Sequence, residues 1–279
     1  KYKSSKLRFF LGDVRDKERL SRALNGIDVV IHAAALKQVP ASEYNPTEFI
    51  KTNIIGAQNI LEQSVNNKVS QVVALSTDKA AAPVNLYGAT KLCSDKLFVA
   101  ANQYYGYRLK SSVVRYGNVM NSRGSVLPVF KHCAKNNLPL TITDKEMTRF
   151  NISLEDGVKM VLFAIENSKG GEIFVPKIPS YKILDLAKAV KSDFKIKYIG
   201  IRSGEKLHEE LITSSDSLTT VDIGKYYAIL PSSGKNNINN YNKKKFKKVS
   251  KNFSYSSKNN SHFLSVGELK KIIENIKDE

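Results

Sequence analysis

The fold is decided by a strand-to-helix passage that reads QVVALSTDKA at residues 71–80 and NLYGATKLCSDKLFVAANQYY at residues 85–105. The first run is apolar as far as Leu75 and ends in hydroxyl and carboxylate side chains, which is typical of a strand buried in a parallel sheet. The second run predicts a long helix from Tyr87 to about Tyr105. Strands that alternate with helices form parallel α/β sheets, whose ligands bind where the strands end.

Further elements are predicted on both sides of this passage. Apolar runs predict strands at residues 8–11, 28–34 and 111–116, and a short helix is predicted at residues 16–25. A long helix is predicted over residues 46–67, where apolar residues recur on one helical face. The chain is therefore predicted to be an α/β protein with a doubly wound parallel sheet.

The pattern is less regular beyond residue 118. We expect residues 1–118 to form the main sheet, and residues 119–279 to form a smaller mixed part with crossovers back to that sheet. The helices predicted in this second part lie near 126–136, from Ser153, near 182–192 and at 266–277.

Composition indicates a folded globular protein. The chain has 279 residues, a net charge of +18, two cysteines and no tryptophan, which excludes a peptide, a disulfide scaffold and a disordered acidic tail. Residues 235–258 hold eight lysines and no acidic residue, and this composition predicts a flexible surface loop. Attraction to polyanions is the alternative, but zinc-finger, RNP and helix-turn-helix patterns are absent, so no nucleic-acid partner is expected.

Nothing in the sequence predicts a membrane segment. The chain lacks an apolar run of ~18 residues, and its first residues do not form the apolar core of a signal peptide. We therefore expect a cytoplasmic location. Cys93 and Cys133 have no metal-ligand spacing, so we expect free thiols and no metal site.

Tyr87 and Lys91 are the first candidates for chemistry. They are spaced i and i+4 at the start of a helix, so their side chains lie on one face. We expect the Lys91 ammonium group to lower the pKa of the phenol, which would allow Tyr87 to act as a base. The Tyr-x-x-x-Lys spacing is common by chance, but here it follows a strand that ends in a hydroxyl and a carboxylate.

Several motifs together resemble the extended short-chain dehydrogenase/reductase family. They are GDVRD at 12–16, HAAALK at 32–37, TNIIGA at 52–57, Tyr87-x-x-x-Lys91 and RYGNV at 115–119. Within this family, STDKA at 76–80 and NLYGATK at 85–91 are similar to the configuration-inverting UDP-N-acetylglucosamine 4,6-dehydratases. The resemblance extends to MTRF at 147–150, IRSGEKLHE at 201–209 and FSYS at 253–256.

Two positions narrow the resemblance. Nucleotide-glucose 4,6-dehydratases carry Asp-Glu where this chain has Asp78-Lys79, and the membrane-anchored relatives that retain configuration usually carry Met in place of Tyr87. Both differences favour the inverting group.

The resemblance implies a mechanism. Tyr87 takes the proton of the sugar's 4-hydroxyl while the hydride of carbon 4 passes to NADP, and Lys79 then removes the proton of carbon 5. Asp78 donates to the departing hydroxyl of carbon 6, the hydride returns to carbon 6, and carbon 5 is reprotonated from the opposite face. Thr77 and Lys91 are counted with these catalytic residues. Lys79 must be neutral and Asp78 protonated, and we expect burial to shift both pKa values accordingly, helped at Lys79 by the charge of Lys91.

The resemblance also implies binding residues, although each could instead be a turn or a tightly packed strand end. His32 is expected in the core. The implied cofactor-binding residues, in an NADP-binding part at 1–118, are Asp13, Val14, Ala33, Ala34, Ala35, Tyr87 and Lys91. The implied substrate-binding residues are Lys37, Asn118, Arg149, Arg202 and Glu205. The last three of them lie in residues 119–279, which the resemblance implies to be the nucleotide-sugar-binding part.

The family's Gly-rich turn after its first strand is absent from this sequence. We therefore expect a Rossmann-like sheet whose first βαβ portion is missing, with two βα units upstream. On that expectation, the chain alone would bind NADP poorly and be inactive.

The resemblance implies UDP-N-acetylglucosamine as substrate, a homo-oligomer, and a role at the first step of pseudaminic acid synthesis for flagellin glycosylation. Two alternatives stay open. An NAD(P)-dependent nucleotide-sugar epimerase of the same fold needs the Tyr and Lys but not the Asp-Lys pair. A non-catalytic protein would bind a nucleotide-sugar and use the basic stretch to reach a polyanion.

Overall fold

The computed structural model describes residues 4–122, 124–239, 241 and 246–276. The α-helices are α1 (Lys17–Leu24), α2 (Val39–Tyr44), α3 (Pro46–Phe49), α4 (Gly56–Asn66), α5 (Leu86–Tyr104), α6 (Val126–Lys135), α7 (Leu154–Asn167), α8 (Ile183–Val190) and α9 (Val266–Asn275). The strands are β1 (Val29–His32), β2 (Gln71–Thr77), β3 (Lys110–Tyr116), β4 (Asn118–Val119), β5 (Leu140–Ile142), β6 (Thr148–Ile152), β7 (Ile173–Pro176), β8 (Ser180–Lys182), β9 (Ile196–Tyr198), β10 (Glu210–Ile212), β11 (Thr220–Asp222), β12 (Tyr226–Ile229), β13 (Lys247–Lys248) and β14 (Tyr255–Ser256).

The main sheet has the strand order β1-β2-β3-β7-β12-β11-β13. The pairs from β1 to β7 are parallel, as the alternation of strands and helices predicts. From β7 onward the pairs are antiparallel, which the sequence did not predict. At this edge β11 and β12 form a hairpin, whereas a long segment that includes α8 lies between β7 and β12.

Helices cover both faces of the sheet, because successive side chains of a strand point to opposite faces. In β2, Val72 and Ala74 pack in one core cluster with Leu61 of α4 and Phe98 of α5. Val73 instead packs in a second cluster with residues of α7. The doubly wound α/β fold is therefore confirmed.

A third core cluster lies away from the sheet and joins α6, β5, α8 and α9. Among its fully buried members are Leu127, Phe130, Leu186 and Leu269. Residues beyond 118 thus contribute both to this cluster and to the main sheet, and a domain boundary at 118 stays a prediction. Among the helices of the described residues, none is long and apolar enough to cross a membrane.

The predicted strand at residues 8–11 is wrong. These residues form neither helix nor strand, and Phe9 and Leu11 are 85% and 93% exposed. A strand needs a neighbour for its backbone hydrogen bonds, and β1, which forms one edge of the sheet, pairs with β2 alone among the described strands. β1 is also buried on one face only: Val30 and His32 are buried, whereas Val29 and Ile31 on the other face are exposed.

The predicted long helix at 46–67 is continuous but contains a π-helical segment, Ile50–Ile55, between α3 and α4. Asn53 lies in this segment and is buried. Its side chain exchanges two hydrogen bonds of 2.9 Å with the backbone of Leu36 and donates to Thr90 Oγ1 at 3.0 Å. The π segment thereby ties the loop after β1 to α5.

The prediction of a flexible loop over residues 235–258 is wrong for its later part. Lys247–Lys248 form β13 against β11, and Tyr255–Ser256 form β14 against β10. Aromatic side chains anchor this segment: Tyr255 and Tyr241 are buried, and Phe253 packs partly buried against the first core cluster. Residues 240 and 242–245 of this stretch lie outside the described residues.

Candidate active site

The site is built on the turn that follows β2. Thr77 ends the strand and caps a 3-10 turn, Asp78–Ala80, by accepting a hydrogen bond from the Lys79 backbone N–H. The Thr77 hydroxyl donates to Asp78 Oδ1 at 2.9 Å. Because polar side chains directly follow an apolar strand, the tight turn places a carboxyl group and an amine next to each other at the end of the sheet.

Asp78 and Lys79 form an ion pair, with Lys79 Nζ donating to Asp78 Oδ1 at 3.0 Å. Asp78 is 1% exposed, and its second carboxyl oxygen, Oδ2, is buried without a hydrogen-bond partner among the described residues. Burial raises the pKa of Asp78, Lys79 opposes this, and the nearby Glu209 carboxylate adds to the rise. The shift has the direction that the sequence predicted.

The predicted pKa shift of Lys79 is wrong. Burial lowers the pKa of the amine, but the carboxylates of Asp78 and Glu209 outweigh burial, so that the pKa is raised. Glu209 Oε1 lies 3.4 Å from Lys79 Nζ. Lys79 is therefore an ammonium group in this arrangement, held between two carboxyl groups.

Tyr87 lies at the start of α5, which is capped by the side chain of Asn85. The helix packs tightly on the turn after β2, because Gly88 leaves no room for a side chain beside the Lys79 carbonyl oxygen. Tyr87 is buried, and its phenol interacts with the Thr77 side chain and feels the charges of Lys79 and Asp78. The structure thus brings together Thr77, Asp78, Lys79 and Tyr87.

The predicted acidification of Tyr87 by Lys91 is also wrong. Burial raises the pKa of Tyr87 to about 12, and the positive charge that opposes this rise is that of Lys79. Lys91 is buried, and its amine donates to the Leu75 carbonyl oxygen at 2.9 Å. Burial lowers the pKa of Lys91, because a buried ammonium group is less favourable than one in water.

Glu209 is the residue that sequence reasoning missed. It follows the loop of residues 202–208 and is 2% exposed. Besides Lys79, its Oε1 faces Arg149 Nε at 3.7 Å, and its Oε2 is buried without a partner in the described part of the chain. The signal was its place at the end of the IRSGEKLHE motif, but that motif alone does not show which acidic residue is buried.

The loop that carries Glu209 is attached directly to the turn after β2. Lys206 Nζ donates to the Ala81 carbonyl oxygen at 2.6 Å, and the Asn85 side chain donates to the Gly204 carbonyl oxygen at 2.7 Å. The turn after β2, the start of α5 and this loop therefore surround one group of side chains.

The predicted substrate-binding residues are distributed around this loop. Arg149 is buried, and its guanidinium group donates to the carbonyl oxygens of residues 148, 206 and 207. Arg202 is largely exposed and pairs with Glu205 at 2.8 Å. Asn118 lies in β4 with its Oδ1 buried and unpartnered among the described residues, and Lys37 is exposed on the loop after β1. Their binding roles stay predictions.

The predicted cofactor-binding residues fall into two groups. Asp13 is exposed and paired with Arg15 at 2.7 Å, while Val14 packs against Gly56 of α4. Ala33, Ala34 and Ala35 are exposed directly after β1, whose parallel neighbour β2 ends at the turn that carries Asp78 and Lys79. These roles too stay predictions.

The chain's residues fit the nicotinamide half of a dinucleotide. The Lys91 ammonium group has three donors, of which, among the described residues, the Leu75 carbonyl oxygen accepts one, so donors remain that could meet ribose hydroxyls. The exposed small side chains after β1 allow close approach to the backbone. In the described part of the chain, His, Cys, Asp and Glu residues form no cluster suited to a metal ion.

Two kinds of comparison identify relatives by sequence. A family described as "Polysaccharide biosynthesis protein" matches residues 1–231. An inverting UDP-N-acetylglucosamine 4,6-dehydratase of Campylobacter jejuni subsp. jejuni serotype O:23/36 (strain 81-176) is 56% identical over 280 residues, which cover 98% of this chain and 84% of that protein. A UDP-glucose 4-epimerase of Rickettsia canadensis (strain McKiel) is 45% identical, with 96% of this chain and 80% of that protein covered.

Solved structures share the fold. Pen from Bacillus thuringiensis aligns with a TM-score of 0.87 and 36% identity over 96% of this chain and 82% of that one. DesIV, a dTDP-glucose 4,6-dehydratase from Streptomyces venezuelae solved with NAD bound, aligns with a TM-score of 0.66 and 25% identity over 73% of this chain and 70% of that one. These similarities confirm the resemblance that the motifs predicted.

Proposed function

The chain belongs to the polysaccharide biosynthesis protein family, and on that premise we propose that it dehydrates UDP-N-acetylglucosamine with inversion at carbon 5. The observation that carries the proposal is the 3.0 Å contact between Asp78 and Lys79 beside the phenol of Tyr87. Elimination of water needs an acid for the departing hydroxyl and a base for the acidic C–H. An adjacent carboxyl and amine supply both.

The bound nicotinamide would accept the hydride of carbon 4 and return it to carbon 6. Tyr87 accepts the proton of the 4-hydroxyl as a phenolate. Because burial raises the pKa of Tyr87 to about 12, this anion needs Thr77 and Lys79 beside the phenol to stabilise it. Lys91, buried one helical turn away, orients the cofactor's ribose rather than setting the charge of the phenol.

The raised pKa of Lys79 is compatible with its role as a base, because the pair shares a proton. Lys79 Nζ donates to Asp78 Oδ1, and transfer of that proton yields a neutral amine and a protonated carboxyl group. Lys79 then removes the proton of carbon 5, and Asp78 gives its own proton to the hydroxyl that leaves carbon 6 as water. The elimination leaves the pair as an ion pair again, ready for the same transfer. Carbon 5 then receives a proton from the opposite face, and this proton balances the one that Tyr87 took from the 4-hydroxyl, so that one turnover releases only water.

The test is product analysis of the protein as its gene encodes it, incubated with UDP-N-acetylglucosamine and a nicotinamide cofactor. The proposal expects a UDP-4-keto-6-deoxy sugar from the wild type, and loss of this product in Asp78→Asn with binding of the UDP-sugar retained. Formation of the 4-epimer alone would instead establish an epimerase, the candidate favoured by the similarity to the Rickettsia protein.

The finer parts of the proposal rest on the family resemblance. They are NADP rather than NAD as cofactor, a homo-oligomer in the cytoplasm, and a product that enters pseudaminic acid synthesis for flagellin glycosylation. The UDP part of the substrate would be bound by Lys37, Asn118, Arg149, Arg202 and Glu205, and the cofactor by Asp13, Val14 and Ala33–Ala35 with Tyr87 and Lys91.

A further inference from the structure

Glu209 carries a buried charge that the proposed reaction does not account for. Its side chain is 3% exposed, and its Oε1 lies 3.4 Å from Lys79 Nζ and 3.7 Å from Arg149 Nε. A buried carboxylate is costly unless it is paired and hydrogen-bonded, yet the Oε2 atom has no partner among the described residues. Buried polar groups left unsatisfied in this way call for a functional explanation.

The backbone of Glu209 is fixed from a distant part of the chain. Its N–H donates to Ser257 Oγ at 2.9 Å, and the Ser257 N–H donates to the Glu209 carbonyl oxygen at 2.8 Å. Ser257 is fully buried and shares a 2.7 Å hydrogen bond with Thr148 Oγ1. The carboxylate is therefore held against Lys79 by rigid surroundings and does not reach it by a flexible side chain alone.

Arg149 completes this arrangement. Its Nη atoms donate to three backbone carbonyl oxygens of the segments that carry Thr148 and Leu207, which leaves Nε directed at Glu209. With Lys79 on the other side, Glu209 is flanked by two positive charges. Together they outweigh burial and keep the pKa of Glu209 lowered, so that this carboxylate stays ionised.

We propose that Glu209 is a positioning residue that holds the Lys79 amine beside Asp78. In addition, its fixed negative charge would govern how readily the Asp78–Lys79 pair exchanges its proton. This inference deepens the proposed function and rests on it. A fixed negative charge favours protonation of both members of the pair, and both Asp78 and Lys79 have raised pKa values to which Glu209 contributes. The other ionisable groups that act on this cluster are Arg149, Lys206, Tyr87 and Tyr181.

The test is Glu209→Gln, which removes the charge and nearly keeps the shape. Activity falls at low pH when Asp78 and Lys79 are both protonated, and at high pH when the pair has lost its proton. Because removal of a negative charge lowers the pKa of both groups, both limbs of the pH–kcat profile should move to lower pH, by about one unit. We expect kcat at the optimum to fall about tenfold or more while KM changes less than about threefold.

Two variants separate the charge of Glu209 from a merely structural role. Glu209→Asp keeps the charge with a shorter reach, so the limbs of the profile should stay in place while kcat falls. Glu210→Gln removes a carboxylate one residue further on, in β10, where it faces Lys206 rather than the pair. This control should leave the profile unchanged.

A readout without turnover tests the inference independently of the reaction. In protein labelled with ¹³C at the aspartate carboxyl groups, the Asp78 resonance is assigned by its loss in Asp78→Asn. Its titration midpoint should lie lower in Glu209→Gln than in wild type. If Glu209→Gln leaves both the Asp78 midpoint and the limbs of the pH–kcat profile unchanged, the role of Glu209 is overturned. If instead the wild type forms no 4-keto-6-deoxy sugar, the proposed function is overturned, but the Asp78 midpoint should still shift in Glu209→Gln.

Discussion

Gly88→Ala offers a test of the distance between Tyr87 and the turn Asp78–Ala80, the proposed catalytic turn. A Cβ atom at Gly88 would lie 2.3 Å from the Lys79 carbonyl oxygen and 3.0 Å from Pro83 Cβ. The carbonyl is backbone and cannot rotate away as a side chain would. The start of α5 and the turn that carries Lys79 must therefore move apart.

The size of this movement follows from ordinary contact distances. Contacts of a Cβ atom become unstrained near 3.4 Å, so α5 and the turn must separate by about 1 Å. Misplacement of this size costs about 100-fold in rate, because the phenol no longer meets the substrate together with Asp78 and Lys79. Overpacking costs about 1–3 kcal/mol, and the higher helix propensity of alanine returns about 1 kcal/mol of it. We therefore expect the free energy of unfolding to fall by a net amount of up to about 2 kcal/mol.

The assay compares kcat and urea unfolding of Gly88→Ala with those of Gly157→Ala. Gly157 lies in α7, where a Cβ atom would meet nothing within 4 Å. The same substitution there should add about 0.5–1 kcal/mol of stability and leave kcat unchanged. If Gly88→Ala keeps wild-type kcat and stability, the close packing of α5 on the catalytic turn is refuted.

Two further predictions concern buried ionisable side chains, His32 in β1 and Asp95 in α5. His32 is buried, and burial lowers its pKa to about 4 from 6.5, so the unfolded chain binds the proton more readily. The free energy of unfolding should therefore fall by about 3 kcal/mol as the pH drops from 6.5 to 4. Urea unfolding measured across this pH range should show this fall in wild type and not in His32→Leu. Asp95 accepts hydrogen bonds from Ser76 at 2.8 Å and from Arg115 at 3.1 Å. Asp95→Ala should lower the free energy of unfolding by about 3 kcal/mol. This is the low end for breaking a buried ion pair, because Asp216 still lies 3.7 Å from Arg115. A urea unfolding midpoint equal to that of wild type would contradict this prediction.

The elements next to the site were predictable because their signals are local. Apolar residues up to Leu75 specify β2, the cap and apolar pattern around Tyr87 specify α5, and the pairing of Asp78 with Lys79 follows from adjacent positions in a turn. The strand predicted at residues 8–11 shows the limit of this reasoning. Strand-forming residues make a strand only where a neighbour accepts their hydrogen bonds, and that depends on the whole sheet.

The electrostatics of the site could not be predicted from the sequence. The direction of the pKa shift of Lys79 depends on Glu209, which reaches the turn after β2 only through tertiary packing against Ser257. Similarly, the spacing of Tyr87 and Lys91 places both on one helix face, but the direction of the Lys91 amine toward the Leu75 carbonyl oxygen is set by burial. Local spacing shows which groups are neighbours along the chain, whereas charge states depend on every group in the folded site.

The central claim of the proposed function is that the carboxyl–amine pair of Asp78 and Lys79 exchanges a proton with carbon 5 of the sugar. The most direct measurement is proton NMR of the product formed in deuterium oxide by the protein as its gene encodes it. Wild type should give a 6-deoxy-4-keto sugar with inverted configuration and deuterium at carbon 5, and Lys79→Met should give neither. A product with retained configuration and its original hydrogen at carbon 5, or undiminished deuteration by Lys79→Met, would contradict the assignment of Asp78 and Lys79.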